Sequence, residues 1–298
     1  MRFALLVMGL TVTAGFAAML WQHGCYLNVR RHAAQDRQEM LYRGETFHVL
    51  TFLKVHPDAD AAVAAVRDFR KATLGGGGGR WIYAGKVVIN VPSDRIGPVE
   101  WSAVTLIEYP SREAYERYAR SNAYLAALAR FERYYAQGAR RSMVENLMLP
   151  QVLLLRKLAA MLSRQPSEYP FKPMPPKALP QHVYDVMARL RAESELRREA
   201  AVVVNLQEKG DERMRATDAR YTSAMTRLMA ELGYGPLHLA KAETLADGVP
   251  FDRVAIVYYP GTAFFADMLG SSFYQHILPN KQLADNQSTI TVPILDEL

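Results

Sequence analysis

The chain has 298 residues, of which 50% are hydrophobic and 22% charged, with a formal net charge of +6. This length and apolar content allow two domains with separate cores, and exclude both a multi-spanning membrane protein and a chain disordered throughout. Basic residues are interspersed with acidic ones and form no compact block with aromatics, so no nucleic-acid partner is expected, and the single cysteine, Cys25, rules out an intrachain disulfide or a cysteine-based zinc site.

Phe3 to Trp21 reads FALLVMGLTVTAGFAAMLW, close to the roughly 20 apolar residues with which a helix crosses a bilayer. Trp21 ends the run, where an aromatic favours the headgroup level. The expectation is a single-pass membrane anchor over residues 1–24. The alternative is a signal segment, with Arg2 as its positive start and Gly15 and Ala17 before a cut, which leaves a periplasmic or secreted chain. Arg30, Arg31 and Arg37 compete with Arg2 and the terminal amine for the inner side, so orientation stays open.

A charged helix is expected over Arg31–Tyr42. Phe47 to Val55, FHVLTFLKV, is rich in β-branched and aromatic residues and predicts a strand that Pro57 and Asp58 end. An alanine-rich helix follows to about Leu74. Gly75–Gly79 then turn the chain into a second strand, Arg80–Val91. This run is no phosphate loop, because Arg80 and Trp81 follow it where Lys and Ser/Thr should open a helix. Trp101–Tyr109 is a third strand. Ser111 caps a helix that breaks near Ser121–Asn122 and resumes to Tyr135. Arg140–Leu149 is read as the fourth strand, giving the order βαββαβ.

Gln151–Ser163 is an apolar helix, and the prolines from Pro166 to Pro180 favour a stiff extended connector. A charged helix over His182–Arg198 follows. The order then repeats. Strands are expected at Ala201–Gln207, Leu237–Leu245, Arg253–Tyr259 and Thr289–Ile294, with a turn at Asp247–Gly248. Helices are expected at Asp211–Leu232 and at Thr262–Leu278, the latter broken near Gly270.

The repeat is visible residue by residue. LIEYPSREAYERYARSNAYLAAL, from Leu106, aligns without a gap on IVYYPGTAFFADMLGSSFYQHIL, from Ile256. Tyr109 matches Tyr259, Pro110 matches Pro260, Ser121 matches Ser271, Tyr124 matches Tyr274 and Leu128 matches Leu278. A βαββαβ unit carries both helices on one sheet face and needs cover on the other. Two copies can cover each other, at about 25 cal/mol per Å² of apolar area. The segments VTLIEYPSREAYERYARSNAY and AIVYYPGTAFFADMLGSSFYQ resemble the third strand and second helix of the small ferredoxin-like proteins of the dimeric α/β barrel superfamily, especially the DUF1330 type. The resemblance spans Phe47–Leu149 and Ala201–Leu298. Tyr109–Ala114 is its most specific part, and Gly261-Thr262-Ala263 departs from it. It implies an α+β fold: two ferredoxin-like βαββαβ units packed as a pseudo-dimeric α/β barrel behind an N-terminal apolar helix. The units are residues 31–150 and 181–298, joined by 151–180. The superfamily includes small monooxygenases, isomerases, cyclases, haem-handling enzymes and proteins with no known chemistry.

Among the histidines there is no HExxH and no close pair, so neither a metal nor a cofactor is expected. His238, flanked by Leu237 and Leu239 on an expected strand, and His48 on the first strand are the candidate catalytic bases. The plainer reading of each is a hydrogen-bonded core or surface histidine. Tyr83, Tyr109 and Tyr259 offer a ring and a hydroxyl to a small aromatic ligand, although repeated aromatics also build cores. Asn205 interrupts an apolar strand; pointing inward, it needs partners or a ligand. Glu108 stands where the second copy has Tyr258. The expected function is a membrane-tethered binding or scaffolding role. Its partners would be the membrane, through the N-terminal segment, and a protein or a small apolar ligand. The alternative is a cofactor-independent monooxygenase or isomerase acting on a small apolar or aromatic compound. An enzyme requires an enclosed pocket with convergent polar groups; a scaffold requires filled centres and an exposed apolar patch.

Overall fold

The computed structural model describes residues 2–32, 46–55, 59–74, 79–141, 143–164, 166–196, 200–246 and 248–298. The expected charged helix beyond His32, the strand end at Pro57–Asp58, the glycines Gly75–Gly78 and Asp247 lie outside the described residues.

Eight strands close into one barrel. They are β1 (Phe47–Lys54), β2 (Arg80–Val91), β3 (Ala103–Tyr109), β4 (Arg133–Arg140), β5 (Ala201–Glu208), β6 (Gly235–Glu243), β7 (Arg253–Tyr259) and β8 (Asp285–Pro293). Around the barrel the order is β1-β3-β2-β8-β5-β7-β6-β4, with every neighbour antiparallel. Within the first four strands the order is therefore β4-β1-β3-β2, and within the last four β6-β7-β5-β8 runs the equivalent path. The fold is α+β, a closed antiparallel barrel with helices around it.

The helices are α1 (Arg2–His32), α2 (Ala59–Leu74), α3 (Arg112–Ala119), α4 (Asn122–Leu128), α5 (Met143–Leu162), α6 (Gln181–Leu196), α7 (Glu212–Leu232), α8 (Thr262–Leu269) and α9 (Ser272–Ile277). Their ends follow the sequence signals. Ser121 accepts from Tyr124 N at 3.2 Å, and Ser271 accepts from Tyr274 N at 3.1 Å, so the aligned serines cap equivalent helices. Asp211 caps α7, and Gly233 ends it in the left-handed region at φ 77°.

Strand alternation gives the barrel an inner and an outer face. His48, Leu50 and Phe52 point in, while Phe47, Val49 and Leu53 pack outward against the aromatics of α2, α3 and α4. Two seams join the halves. The β2–β8 seam is long, and Ser93, just beyond β2, hydrogen-bonds Asp285 of β8 through its hydroxyl. The β4–β6 seam pairs only Gly138, Ala139 and Arg140 with Glu243, Ala242 and Lys241. Side chains reinforce it: Gln137 Nε2 donates to Glu243 O at 2.7 Å, and Arg140 Nε to Glu243 Oε1 at 2.9 Å.

Three expectations are corrected. The fourth strand lies at Arg133–Arg140, and the apolar stretch expected to be that strand starts α5, which runs through Pro150 to Leu162. The helix expected to resume to Tyr135 ends at Leu128; the proline-rich connector lies against the second half, where Met174 N donates to Gly270 O at 2.9 Å and Phe171 packs 5.2 Å from Phe264. The membrane anchor, and with it the single-pass membrane location, the membrane partner and the membrane-tethered scaffold, is overturned. Among the described residues no helix is long and apolar enough to cross a membrane. Farther along α1, Tyr26 is buried and its hydroxyl donates to Pro236 O of β6, which docks that end of the helix on the barrel.

The narrow seam makes Gly138 sensitive. A Cβ there would sit 2.5 Å from Phe47 Cζ and 2.7 Å from the Glu243 backbone oxygen. Gly138→Ala is expected to lower the unfolding free energy by about 1–3 kcal/mol, as overpacking does. Urea unfolding of the two proteins measures it; an unchanged midpoint would mean that the seam has slack.

Candidate functional site

The barrel interior is filled. Tyr83 Oη lies 2.6 Å from Thr291 Oγ1, and Thr291 donates to Val202 O at 2.8 Å, so a hydroxyl chain ties β2 through β8 to β5. Burial pushes the Tyr83 phenol well up, against the bond to Thr291, and keeps it protonated. Tyr83 is thus a barrel-core residue.

His48 and His238, far apart in sequence, meet inside the barrel with ring centroids 4.8 Å apart. They come from opposite sides of the short seam, β1 and β6, and both are buried. His48 Nε2 is 3.1 Å from Glu108 Oε2, its cross-strand neighbour on β3. Glu108 Oε1 accepts from Arg80 Nε at 3.2 Å and Nη2 at 3.0 Å, again across a strand pair. Burial works to raise the Glu108 carboxyl, but the hydrogen bond from His48 and the charge of Arg80 outweigh it and hold the group below its ordinary value. The result is a relay from the part-exposed Arg80 inward to two imidazoles in tilted contact.

Tyr109 goes elsewhere. It packs on the outer face of the first half, 5.1 Å from Tyr115 and 6.3 Å from Tyr118, within a cluster of Phe69, Trp81, Tyr124 and Phe131. Burial raises its phenol far above the usual range. Among the described residues the space between sheet and helices in this half is packed ring against ring.

The corresponding space in the second half is hollow. A cavity of about 540 Å³ lies between the outer face of β5, β7 and β8 and the helices α6, α7 and α9. Asn205 and Tyr259 line it. The strand register orders its floor in rungs. Arg253, Gln207 and Asn286 form the first; Ala255, Asn205 and Ser288 the second; Val257, Val203 and Ile290 the third; Tyr259 and Ala201 the fourth. At about 6.8 Å between rungs, the floor grades over some 20 Å from charged and amide groups to aliphatic and aromatic ones. Met225 and Met229 of α7 and Val183 and Val186 of α6 form the apolar roof.

Polar groups concentrate at the first rung. Arg253 donates to Gln207 Oε1 from Nε at 2.9 Å and from Nη2 at 2.5 Å. Lys281 lines the same end, and burial lowers its ammonium against the pull of Asp218. Burial in turn raises Asp218, against the charges of Arg253 and Lys281 and a 3.4 Å hydrogen bond from Thr222. Burial also raises the phenols of Tyr221, Tyr259 and Tyr274, which stay hydrogen-bond donors.

The candidate residues therefore fall into three places: His48, His238 and Tyr83 in the barrel, Tyr109 in the first-half core, and Asn205 and Tyr259 in the cavity. Sequence reading missed Arg253, Gln207, Lys281, Asp218 and Asn286. A signal existed for two pairs. Asn205 and Gln207, like Asn286 and Ser288, are spaced by two on strands, which puts each pair on one face.

No family model matches the sequence, and no curated protein matches it either, so the DUF1330-type resemblance gains nothing from these comparisons. Solved structures of similar shape include chlorite dismutase from Candidatus Nitrospira defluvii in complex with imidazole, at 11% identity over 88% of this chain and 97% of that one, with a TM-score of 0.41. An anthrone oxidase-like protein matches at 9% identity over 84% and 91%, with a TM-score of 0.43. A proposed monooxygenase from Fusobacterium nucleatum subsp. nucleatum matches at 9% over 85% and 94%, with a TM-score of 0.42. At such scores the likeness carries no conclusion about activity.

The Glu108 relay has a measurable consequence. A carboxyl held below its ordinary 4.5 contributes stability above that pH and loses it as pH falls through the lower folded value. Glu108→Gln is expected to lower stability at pH 7 and to flatten the acid limb below about pH 4.5. Urea midpoints from pH 7 to 3 check it; parallel profiles for the two proteins would show that the relay contributes nothing.

Proposed function

We propose that the chain is a tandem duplication of a ferredoxin-like unit, with units at residues 31–150 and 181–298, and that the second unit is an enzyme acting on a small apolar or aromatic compound. The cavity of about 540 Å³ carries this reading. Its volume suits a ring-containing small molecule, its walls are mostly apolar, and a few polar groups converge at one end, the usual make-up of a ligand site. The duplication is supported by the two equivalent strand paths and by the paired serine caps.

The reaction classes that suit the site are isomerisation and monooxygenation of an activated C–H compound. Both begin by removing a proton next to a carbonyl or enol. Asp218 lines the adjoining pocket, which shares Thr222, Thr226 and Arg253 with the cavity; raised by burial, it is the group suited to take that proton at this end, because a general base works best with its pKa moved toward the working pH. Arg253 and Lys281 supply positive charge where oxyanion character develops. Asn205 and Tyr259 orient the ring. His48 and His238, on the other face of the sheet, hold the barrel seam in this reading and do not touch the substrate.

The test uses 2-tetralone, a bicyclic ketone of suitable size, in deuterated buffer. Exchange of its acidic C–H hydrogens, followed by NMR, is expected to run faster with the protein than without it, and to fall by about 10²-fold or more in Asp218→Asn. Met225→Trp, which fills the roof, is expected to abolish binding while retaining the fold by circular dichroism. Binding of 2-tetralone with exchange at the buffer rate would leave a binding site and sink the enzyme.

A further inference from the structure

The floor of the cavity specifies more than size, and what it specifies rests on the reading of the cavity as a ligand site. The first rung carries the charge. Arg253 and Lys281 line it with two positive groups, and among the described residues that line the cavity there is no carboxylate; Asp218 stands in the adjoining pocket, so the end has a net positive excess. Among the described residues no hydrogen bond or close ion pair engages the Lys281 ammonium; Asp218 acts on it only at a distance. A half-buried ammonium of this kind is stabilised by an incoming anion, which also offsets its desolvation.

Hydrogen-bond demand at the same end has the opposite polarity. Asn205 is 94% buried (6% exposed), and its amide nitrogen is committed to Ala255 O at 3.4 Å. Its Oδ1 finds no partner, and neither does the buried Oδ1 of Asn286 on the adjacent rung and strand. Two orphaned acceptors beside each other cost free energy until a donor reaches them. Carboxylates cannot supply that donor, whereas a hydroxyl can. Beyond the second rung nothing polar remains on the strands until Tyr259, so the rest of the ligand must be apolar.

We infer that the cavity is built for an amphipathic hydroxy acid: an apolar ring body over the Val203 and Val257 rung, a hydroxyl at Asn205 and Asn286, and an anionic oxygen group at Lys281 and Arg253. The order of these parts is fixed by the order of the rungs. A neutral hydrocarbon of the same size fills the volume but leaves the amide oxygens and the ammonium unanswered.

Four probes of nearly constant shape separate these elements: naphthalene, 2-naphthol, 2-naphthoic acid and 4-hydroxy-2-naphthoic acid, whose hydroxyl is too far from its own carboxylate to donate to it. Affinity for the full-length protein, measured by fluorescence titration with calorimetry as a check, is expected to rise in that order. The hydroxy acid should bind at least about tenfold more tightly than 2-naphthol, the gain of one charge-assisted hydrogen bond. Lys281→Met should erase the advantage of both acids and leave naphthalene unchanged. Asn205→Leu should erase the advantage of each hydroxylated probe over its parent. Thermal unfolding and retained naphthalene binding show that each variant is folded. Equal affinities for naphthalene and the hydroxy acid in the native protein would overturn this inference and leave the apolar ligand site standing. No binding of any probe would remove the site itself, and the inference with it.

Discussion

Closure of the barrel is the constraint on which the rest depends. A four-stranded antiparallel sheet has two edges and, with helices on one face, one uncovered side. Here β2 and β4 are the edges of the first half, β8 and β6 those of the second, and the two seams remove all four at once. The inner faces then shut on each other and exclude water. Most of what is polar inside is answered there: Tyr83 by Thr291, Gln137 by the Glu243 carbonyl, His48 Nε2 by Glu108 and Glu108 by Arg80. The imidazole pair across the short seam belongs to this internal accounting. A filled interior leaves the outer faces, under the helices, as the place where a ligand can sit.

The two outer faces share a pairing register and differ by a few side chains. The shared pairing register sets Phe47 opposite Tyr109 in the first half and Ala201 opposite Tyr259 in the second. Thr51 corresponds in this way to Asn205, Leu53 to Gln207 and Ala103 to Arg253. Replacing a phenyl ring by a methyl group empties the tyrosine end. Exchanging Leu for Gln and Ala for Arg makes the other end polar. On the helix side the first half supplies Phe69, Tyr115 and Tyr118, which pack ring to ring, while α7 presents Met225 and Met229, longer and more adaptable. One half has become a core and the other a container.

How much of this was legible follows from what each signal reports. The strands FHVLTFLKV, AVVVNLQ and RVAIVYY were readable because β-branched and aromatic runs bounded by turns admit few alternatives. The helix breaks near Ser121 and Gly270 were readable because capping serines mark them. The fourth strand was misread because RYYAQGAR looks helical by its alanines and charge. Its strand character comes from its neighbours: Gly138 is there to let Phe47 and the β6 backbone approach, which is a tertiary fact. The same holds for the site. Asn205 stood out because it is polar in an apolar run. Arg253 and Lys281 did not, because a charged residue at a strand end or in a loop is ordinary until the fold places it against a cavity. His48 and His238 were each noticed, but their meeting depends on which strands flank the seam, and pattern along the chain does not encode that. The apolar N-terminal run shows the limit from the other side, since its composition suggested a membrane span, whereas among the described residues no helix is long and apolar enough to cross a membrane.

A hollow under a sheet forfeits packing, so its walls have to be held from elsewhere. In this chain the first half does the holding. At the start of β8, Asp285 receives the Ser93 hydroxyl and the Asp94 and Arg95 backbone amides, all from the loop after β2. At its far end, Ile294 N donates to Ala84 O at 2.9 Å, and Ile294 is buried in the aromatic core of the first half. The last residues continue onto α2, where Arg70 donates to Leu298 O at 2.8 Å and Arg67 to Glu297 O at 2.7 Å. The strand that bears Asn286, Ser288 and Ile290 is therefore clamped at both ends by the half that has no cavity. A single unit could not clamp itself in this way, because its own β8 equivalent would be an edge. Joining the two halves ties both ends of β8, so the polar rungs of the cavity floor are held by hydrogen bonds from outside the cavity.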